Sequence, residues 1–186
     1  MLEKHLGGHN NKTHLDEGAL VWMKNKFNAK SFLDIGCGTG GMVSLAEENG
    51  LDSHGIDGDH TIERYKQNNF TIHDFTVGPA PVSGVYDIGW SCEFVEHVYE
   101  QYMPNYMKAF QQCRVVAITY APPNWPGHHH VNLQEERYWI DKMSDYGFIF
   151  DKELTLELRN KSTMNLDRKK KAFVRNRGLL FINSEQ

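Results

Sequence analysis

The sequence predicts an α/β protein with a Rossmann-like, doubly wound sheet of about seven strands, mostly parallel and ending in an antiparallel hairpin. Three observations predict it. Short apolar runs alternate with segments of helical periodicity along most of the 186 residues, the pattern of a sheet covered by helices on both faces. The first of those runs ends in a glycine cluster at residues 36–41, where a strand would hand over to a helix around a ligand loop. The last two strand-like segments have no helical pattern between them, so they are expected to pair antiparallel.

The elements follow in order. Thr13-His14-Leu15-Asp16 has the form of a capping box and predicts a helix whose Leu20, Met23 and Phe27 share one face. Ser31-Phe32-Leu33-Asp34-Ile35 reads as the first strand. The helix after it carries Met42, Leu45 and Ala46 at helical spacing and stops at Gly50, a residue suited to a helix C-terminus. Strands are expected at about 53–57 and 70–74, flanking a polar helix near 60–68. After Pro79-Ala80-Pro81 a fourth strand is expected at 85–90. A helix is then expected to run to about Cys113, with Met103, Met107 and Phe110 inward and Pro104 near a helical start. The continuous apolar run at 115–120 suits a central parallel strand. Asn132 and Glu135 are expected to cap a further helix bearing Trp139, Met143 and Tyr146. Segments 148–158 and 172–182 form the expected closing hairpin, joined through Arg168-Lys169-Lys170-Lys171.

A chain of this length supports one good core. Residues 1–186 are therefore expected to be a single domain, with 1–29 an N-terminal helix and lid segment and 30–186 the Rossmann-like core. A net charge of −4 gives no overall attraction to nucleic acid or to an anionic membrane. The three cysteines, Cys37, Cys92 and Cys113, contain no CxxC pair, which argues against a disulfide framework or a structural zinc site. No apolar run approaches the roughly 20 residues that span a bilayer, and the N-terminus has no secretory pattern. A cytoplasmic location is expected.

The glycine loop alone leaves the ligand open, because Gly36-x-Gly38-x-x-Gly41 also satisfies a dinucleotide fingerprint. The acids decide. Asp34 guards the turn, Asp57 ends the second strand where a ribose is held, and Asp74 ends the third with Phe75 beside it, suited to an adenine amino group and ring. Glu93 follows the fourth. A pyrophosphate would be repelled by Asp34, whereas S-adenosylmethionine brings a sulfonium and an ammonium that a carboxylate favours.

These residues resemble a known family. Phe32-Leu33-Asp34-Ile35-Gly36-Cys37-Gly38-Thr39-Gly40 is similar to the first motif of class I S-adenosylmethionine-dependent methyltransferases, Gly55-Ile56-Asp57 to the second and Ile72-His73-Asp74-Phe75 to the third. Tyr86-Asp87-Ile88-Gly89-Trp90-Ser91-Cys92-Glu93-Phe94-Val95-Glu96-His97-Val98 resembles the fourth, in the form found among small-molecule methyltransferases. The loop from Tyr120-Ala121-Pro122-Pro123-Asn124 to the later histidines is similar to the loop after that family's fifth strand. The resemblance covers roughly residues 30–182. It implies a seven-stranded sheet, S-adenosylmethionine as cofactor, Asp34 near the methionine moiety and Asp57 on the ribose. Gly36, Cys37, Gly38, Gly40, Gly58, Asp74, Phe75 and Trp90 complete the expected cofactor set. Gly58 stands where a bulky apolar residue often stacks on adenine, and Trp90 where a smaller residue is common.

Methyl transfer needs an aligned, desolvated nucleophile, and a base only where the acceptor atom carries a proton. His128, His129 and Glu93 are the expected catalytic groups; His97, Trp125, His130 and His14 are expected at the substrate. Each has a plainer reading too: a solvated loop for the histidines, helix support for His97. His5, His9, His14 and Asp16 are expected to belong to the N-terminal lid. No metal is expected. Ala121-Pro122-Pro123-Asn124 follows the wrong strand to be the motif of nucleic-acid amino-methyltransferases, and the basic run at 168–171 reads as a solvated tip.

The expected function is methyl transfer to an oxygen or nitrogen of a small-molecule acceptor, with sugar-type acceptors among the candidates. The alternatives are a protein or nucleic-acid methyltransferase and a non-catalytic S-adenosylmethionine-binding scaffold; a nicotinamide-dependent oxidoreductase is more distant. The expected partners are a small-molecule acceptor, with neither membrane nor nucleic acid, in a monomer or homodimer.

Overall fold

The computed structural model describes every residue except Met1, His9, Asn10, Tyr65, Gln67 and Asn68, and, of Lys169, all but the side chain. Among the described residues seven strands form one sheet: β1 (Ser31–Ile35), β2 (Asp52–Asp57), β3 (Phe70–Ile72), β4 (Tyr86–Ser91), β5 (Cys113–Ile118), β6 (Phe148–Phe150) and β7 (Leu179–Asn183). Their spatial order is β3-β2-β1-β4-β5-β7-β6. The pairs from β3 to β5 are parallel, and β7 runs antiparallel to both β5 and β6. The chain leaves β1 toward β2 and β3, then crosses back to lay β4 on the other side of β1. That reversal opens a crevice at the carboxyl ends of β1 and β4.

Six α-helices among the described residues cover the sheet: α1 (Glu17–Lys26), α2 (Gly41–Glu48), α3 (Met103–Phe110), α4 (Glu136–Asp145), α5 (Lys152–Lys161) and α6 (Phe173–Arg177). Successive residues of a strand point to opposite faces, and here both faces are buried. Leu33, Ile35, Val116, Ile118, Leu179 and Phe181 pack with Tyr106, Phe110, Trp139 and Met143 of α3 and α4. Phe32, Val115, Ala117 and Leu180 pack with Leu20 and Met23 of α1, Met42 of α2, Leu158 of α5 and Val174 of α6. Each large side chain so buried contributes about 1.5–3 kcal/mol. No described helix is long and apolar enough to cross a membrane.

Four local expectations are corrected. The capping box does not form: Asp16, not Thr13, caps α1, accepting from the Ala19 amide at 3.1 Å. Thr13 turns instead to the glycine loop, where its hydroxyl accepts from the Gly41 amide. The expected helix at 60–68 does not appear among the described residues of that segment. The helix after β4 is preceded by two short 3-10 turns, Val95–His97 and Glu100–Tyr102, and Cys113 already belongs to β5. Asn132 and Glu135 do not cap α4 through their side chains: Glu135 holds the N-cap position without such a bond, and Asn132 is buried.

The closing strands pair antiparallel, but the segment between them is helical. Leu154, Leu156 and Leu158 alternate with polar residues and so read as a strand. Asp151 nevertheless caps the segment by accepting from the Leu154 amide at 2.8 Å. Thr155 and Leu158 are then buried on one side while Leu156 faces solvent. The capped helix hides one face, where a strand would have needed a free sheet edge.

Candidate functional site

The crevice opens into a cavity of about 1300 Å³. A drug-sized ligand site spans about 300–1,000 Å³, so this one has room for two molecules. Its floor is the turn after β1. Gly36 adopts φ +79°, and a Cβ there would collide with Phe94; only glycine meets both demands. The loop is fastened from outside by Arg64, which is buried and donates through Nε and Nη2 to the Gly38 carbonyl at 3.1 and 2.8 Å, and through Nη1 to the Asp59 carbonyl. Asp57 accepts from the Gly38 and Asp59 amides, each at 2.8 Å, and lies 3.5 Å from Arg64.

Asp34 differs from Asp57. It is 4% exposed, lines the cavity, and its carboxyl makes no hydrogen bond to a described residue. Burial, followed by the charge of Asp57, pushes its carboxyl well above the usual range. A carboxyl so placed gains most from a cation entering the cavity.

Asp74 and Phe75 form the wall beyond β3. Burial alone would raise Asp74; hydrogen bonds from the Thr76 amide and from His5 outweigh it and hold its carboxyl below the ordinary value. His5 Nε2 lies 2.8 Å from Asp74 Oδ2, so the N-terminal segment reaches across the opening. Leu6 packs where a Cβ of Gly58 would sit, and the Lys4 carbonyl lies 3.1 Å from His128 Nε2.

The opposite wall comes from β4 and the histidine loop. Trp90, Cys92, Glu93 and His97 line it with Trp125 and His128, His129 and His130. Glu93 has φ +55°, a left-handed conformation that costs a non-glycine residue about 1 kcal/mol. Its amide donates to Thr119 Oγ1 at 2.8 Å, and Arg177 lies 3.4 Å from its carboxylate. Burial pushes Glu93 up to about 7 against the pull of Arg177. That guanidinium also donates to the Tyr120 carbonyl at 2.7 Å and stacks 4.3 Å over the Trp125 ring. Glu96, wholly buried behind Glu93, is raised strongly by burial and then by the Glu93 charge. Burial, with His130 next, holds His97 down to about 4, so its imidazole is neutral near pH 7.

Of the residues nominated from the sequence, Asp34, Gly36, Cys37, Gly38, Asp57, Gly58, Asp74, Phe75 and Trp90 line this one cavity, as do Glu93, His97, Trp125, His128, His129, His130 and His14. Gly40 does not; it caps α2 in a left-handed conformation. Asp16 is spent on the α1 cap and on Ser162 and Thr163, and His9 lies outside the described residues. Arg168, Lys170 and Lys171 are exposed as expected, yet Lys170 and Lys171 reach the cavity margin. Sequence reasoning missed Arg64, Arg177 and Glu96. It also missed that Glu96, His97 and His130 converge, with one ligand-type atom of each within 4.8 Å of the others.

A family model described as a methyltransferase domain matches residues 9–115, more than half of the chain. No curated protein matches. Among solved structures, the magnesium protoporphyrin IX methyltransferase of Synechocystis PCC 6803 with bound S-adenosylmethionine is 17% identical, with a TM-score of 0.59 over 90% of this chain and 77% of that one. A TehB-like S-adenosylmethionine-dependent methyltransferase from Corynebacterium glutamicum is 14% identical, with a TM-score of 0.62 over 90% and 86%. The sugar N-methyltransferase of Streptoalloteichus sp. ATCC 53650 is 10% identical, with a TM-score of 0.66 over 94% and 90%. The shared property is the fold.

Proposed function

This chain belongs to the class I S-adenosylmethionine-dependent methyltransferases, and we propose that it methylates an oxygen or nitrogen of a small-molecule acceptor. Bound S-adenosylmethionine supplies a methyl carbon activated by an adjacent sulfonium. The residues present fit that cofactor: Asp34 is a buried carboxyl in want of a cation, suited to the amino-acid end. Asp57, already oriented by two loop amides, suits the ribose hydroxyls, and Asp74 with Phe75 suits the adenine.

The observation that carries the acceptor assignment is the partial roofing of one deep cavity. The glycine loop, the histidine loop and residues 2–8 all line one space, and His5 ties the N-terminal segment to Asp74. Such a roof suits a small molecule and excludes water from the reacting pair. His128 and His129 stand at the acceptor side with Glu93, where a base can take a proton from a hydroxyl or amine. Burial, then the charges of His5 and His128, shift His129 toward its neutral form, the form that accepts a proton. The N-terminal segment acts as the lid of a single domain spanning the chain. The fold shared with a sugar N-methyltransferase supports hydroxylated acceptors as the first class to try.

The test is label transfer from methyl-labelled S-adenosylmethionine by the full chain to panels of sugars, hydroxy acids and amines, with RNA and protein in parallel. Label in a small molecule, unaffected by moderate salt, is the expected result. Label confined to RNA or protein and abolished by salt would overturn the assignment. That second reading has one observation in its favour, the lysines at the cavity margin.

A further inference from the structure

Behind the histidine wall lies a group that methyl transfer does not require. The turn Val95–His97 and residues 131–132 are joined by two backbone hydrogen bonds, from the Val131 and Asn132 amides to the Glu96 carbonyl at 2.9 and 3.0 Å. This brings His130 onto the turn, its ring 4.8 Å from that of His97 and edge-to-face with it.

We infer that Glu96, His97 and His130 form a binding site for one divalent transition-metal ion, of the kind two imidazoles and a carboxylate select, at the acceptor end of the cavity. Three observations carry this. One donor atom from each residue lies within 4.8 Å of the other two. Donors about 2.0–2.2 Å from a shared ion stand up to about 4 Å apart, so small side-chain rotations complete the set. Glu96 is 0% exposed, its two carboxyl oxygens accept from no donor of the described residues, and the Glu93 carboxyl beside it can meet it only by sharing a proton. A buried carboxylate left this way is costly unless a cation meets it. The two imidazoles hold each other in place. His130 Nδ1 lies 3.0 Å from the Trp125 carbonyl, and the His97 ring packs edge-to-face against the His130 ring. A ring that gives its proton to a carbonyl, as the Trp125 carbonyl allows for His130, keeps its other nitrogen free, the usual orientation of ligating histidines.

The donor set favours zinc, manganese or iron(II) over calcium or magnesium, which prefer all-oxygen shells. Glu96 closes the buried side, whereas His97 and His130 line the cavity, so the remaining coordination positions face it. An acceptor hydroxyl or carbonyl oxygen would occupy them; this last step rests on the methyltransferase reading, but the ion site does not.

The test uses the full chain, stripped with chelator, dialysed and titrated with Co²⁺ alone as a visible-absorbing stand-in. We expect ligand-field absorption that saturates at one equivalent per chain and is displaced by Zn²⁺. His130→Gln should weaken Co²⁺ binding by about 100-fold or more, beyond the roughly 10- to 100-fold lost with an outer supporting partner. Glu96→Gln should do the same, and the half-buried His130 carries the test if the buried variant fails to fold. His60→Ala, an exposed histidine outside the cavity, should bind as the parent does. Unsaturable binding, or equal binding by parent and His130→Gln, overturns the site. S-adenosylhomocysteine is added to each protein separately, and its effect on melting reports the cofactor pocket. Loss of that effect in the parent with Co²⁺ binding intact would sink the methyltransferase reading and leave the ion site standing.

Discussion

Replacing Asp34 with asparagine should stabilise the empty protein and weaken the cofactor complex. Asp34 is 4% exposed, its carboxyl makes no hydrogen bond to a described residue, and burial together with the Asp57 charge disfavours its ionised form. Removing the charge therefore relieves a strain of the ligand-free state. Asparagine nearly matches the shape but brings an unsatisfied amide, so the net gain is about 1–2 kcal/mol, less than the full penalty of a buried ion. For a chain of 150–250 residues each kcal/mol moves the melting temperature by about 2–4 °C, giving a rise of roughly 2–8 °C. The cofactor loses one charge-assisted interaction, about 1.5–3 kcal/mol, so its Kd rises roughly 10- to 150-fold. Differential scanning fluorimetry of the empty protein and calorimetry with S-adenosylhomocysteine read the two effects. A variant that melts lower than its parent and binds S-adenosylhomocysteine equally well would refute the electrostatic reasoning.

Two further outcomes follow from the same structure. Arg64→Met removes the clamp on the Gly38 carbonyl and leaves Asp57 with only its amide donors. It should cost about 2–3 kcal/mol and loosen S-adenosylhomocysteine binding, and an unchanged denaturation midpoint would show that the loop holds itself. Asp87 supplies the pH dependence. Burial would raise its carboxyl, but bonds from the Lys30 amide, Arg114 and the Ser31 amide hold it below the usual value. The stabilisation is fully present above the unfolded pKa of about 3.9 and is lost as pH falls through the folded pKa. The melting difference between parent and Asp87→Asn should therefore be constant near neutrality and shrink below about pH 4; a difference that persists at pH 2 would contradict it.

Much of this architecture could be read from the chain. β1 matches its expected bounds because Gly36 ends the apolar run abruptly, and both faces of β5 are apolar as a central strand requires. Where reading failed, two physical patterns overlapped or none was present. Residues 154–158 satisfy a strand's alternation as well as a helix's i, i+4 pair, and only the Asp151 cap separates them. Arg64 sits in a polar segment without periodicity, so nothing announced that it would turn inward to the Gly38 carbonyl. The cofactor loop was visible because its residues are contiguous. Glu96 and His97 meet His130 only through the turn-to-loop hydrogen bonds, and the His5 contact with Asp74 joins residues 69 apart; spacing rules search neither range.

The most direct measurement is calorimetric titration of the unmodified full chain with S-adenosylhomocysteine and, separately, with NAD⁺. A carboxylate buried beside the glycine turn should admit an adenosyl amino acid and reject a diphosphate. We expect one S-adenosylhomocysteine bound per chain and no binding of NAD⁺ at the same concentrations. Binding of NAD⁺ with no uptake of S-adenosylhomocysteine would contradict the assignment at its root.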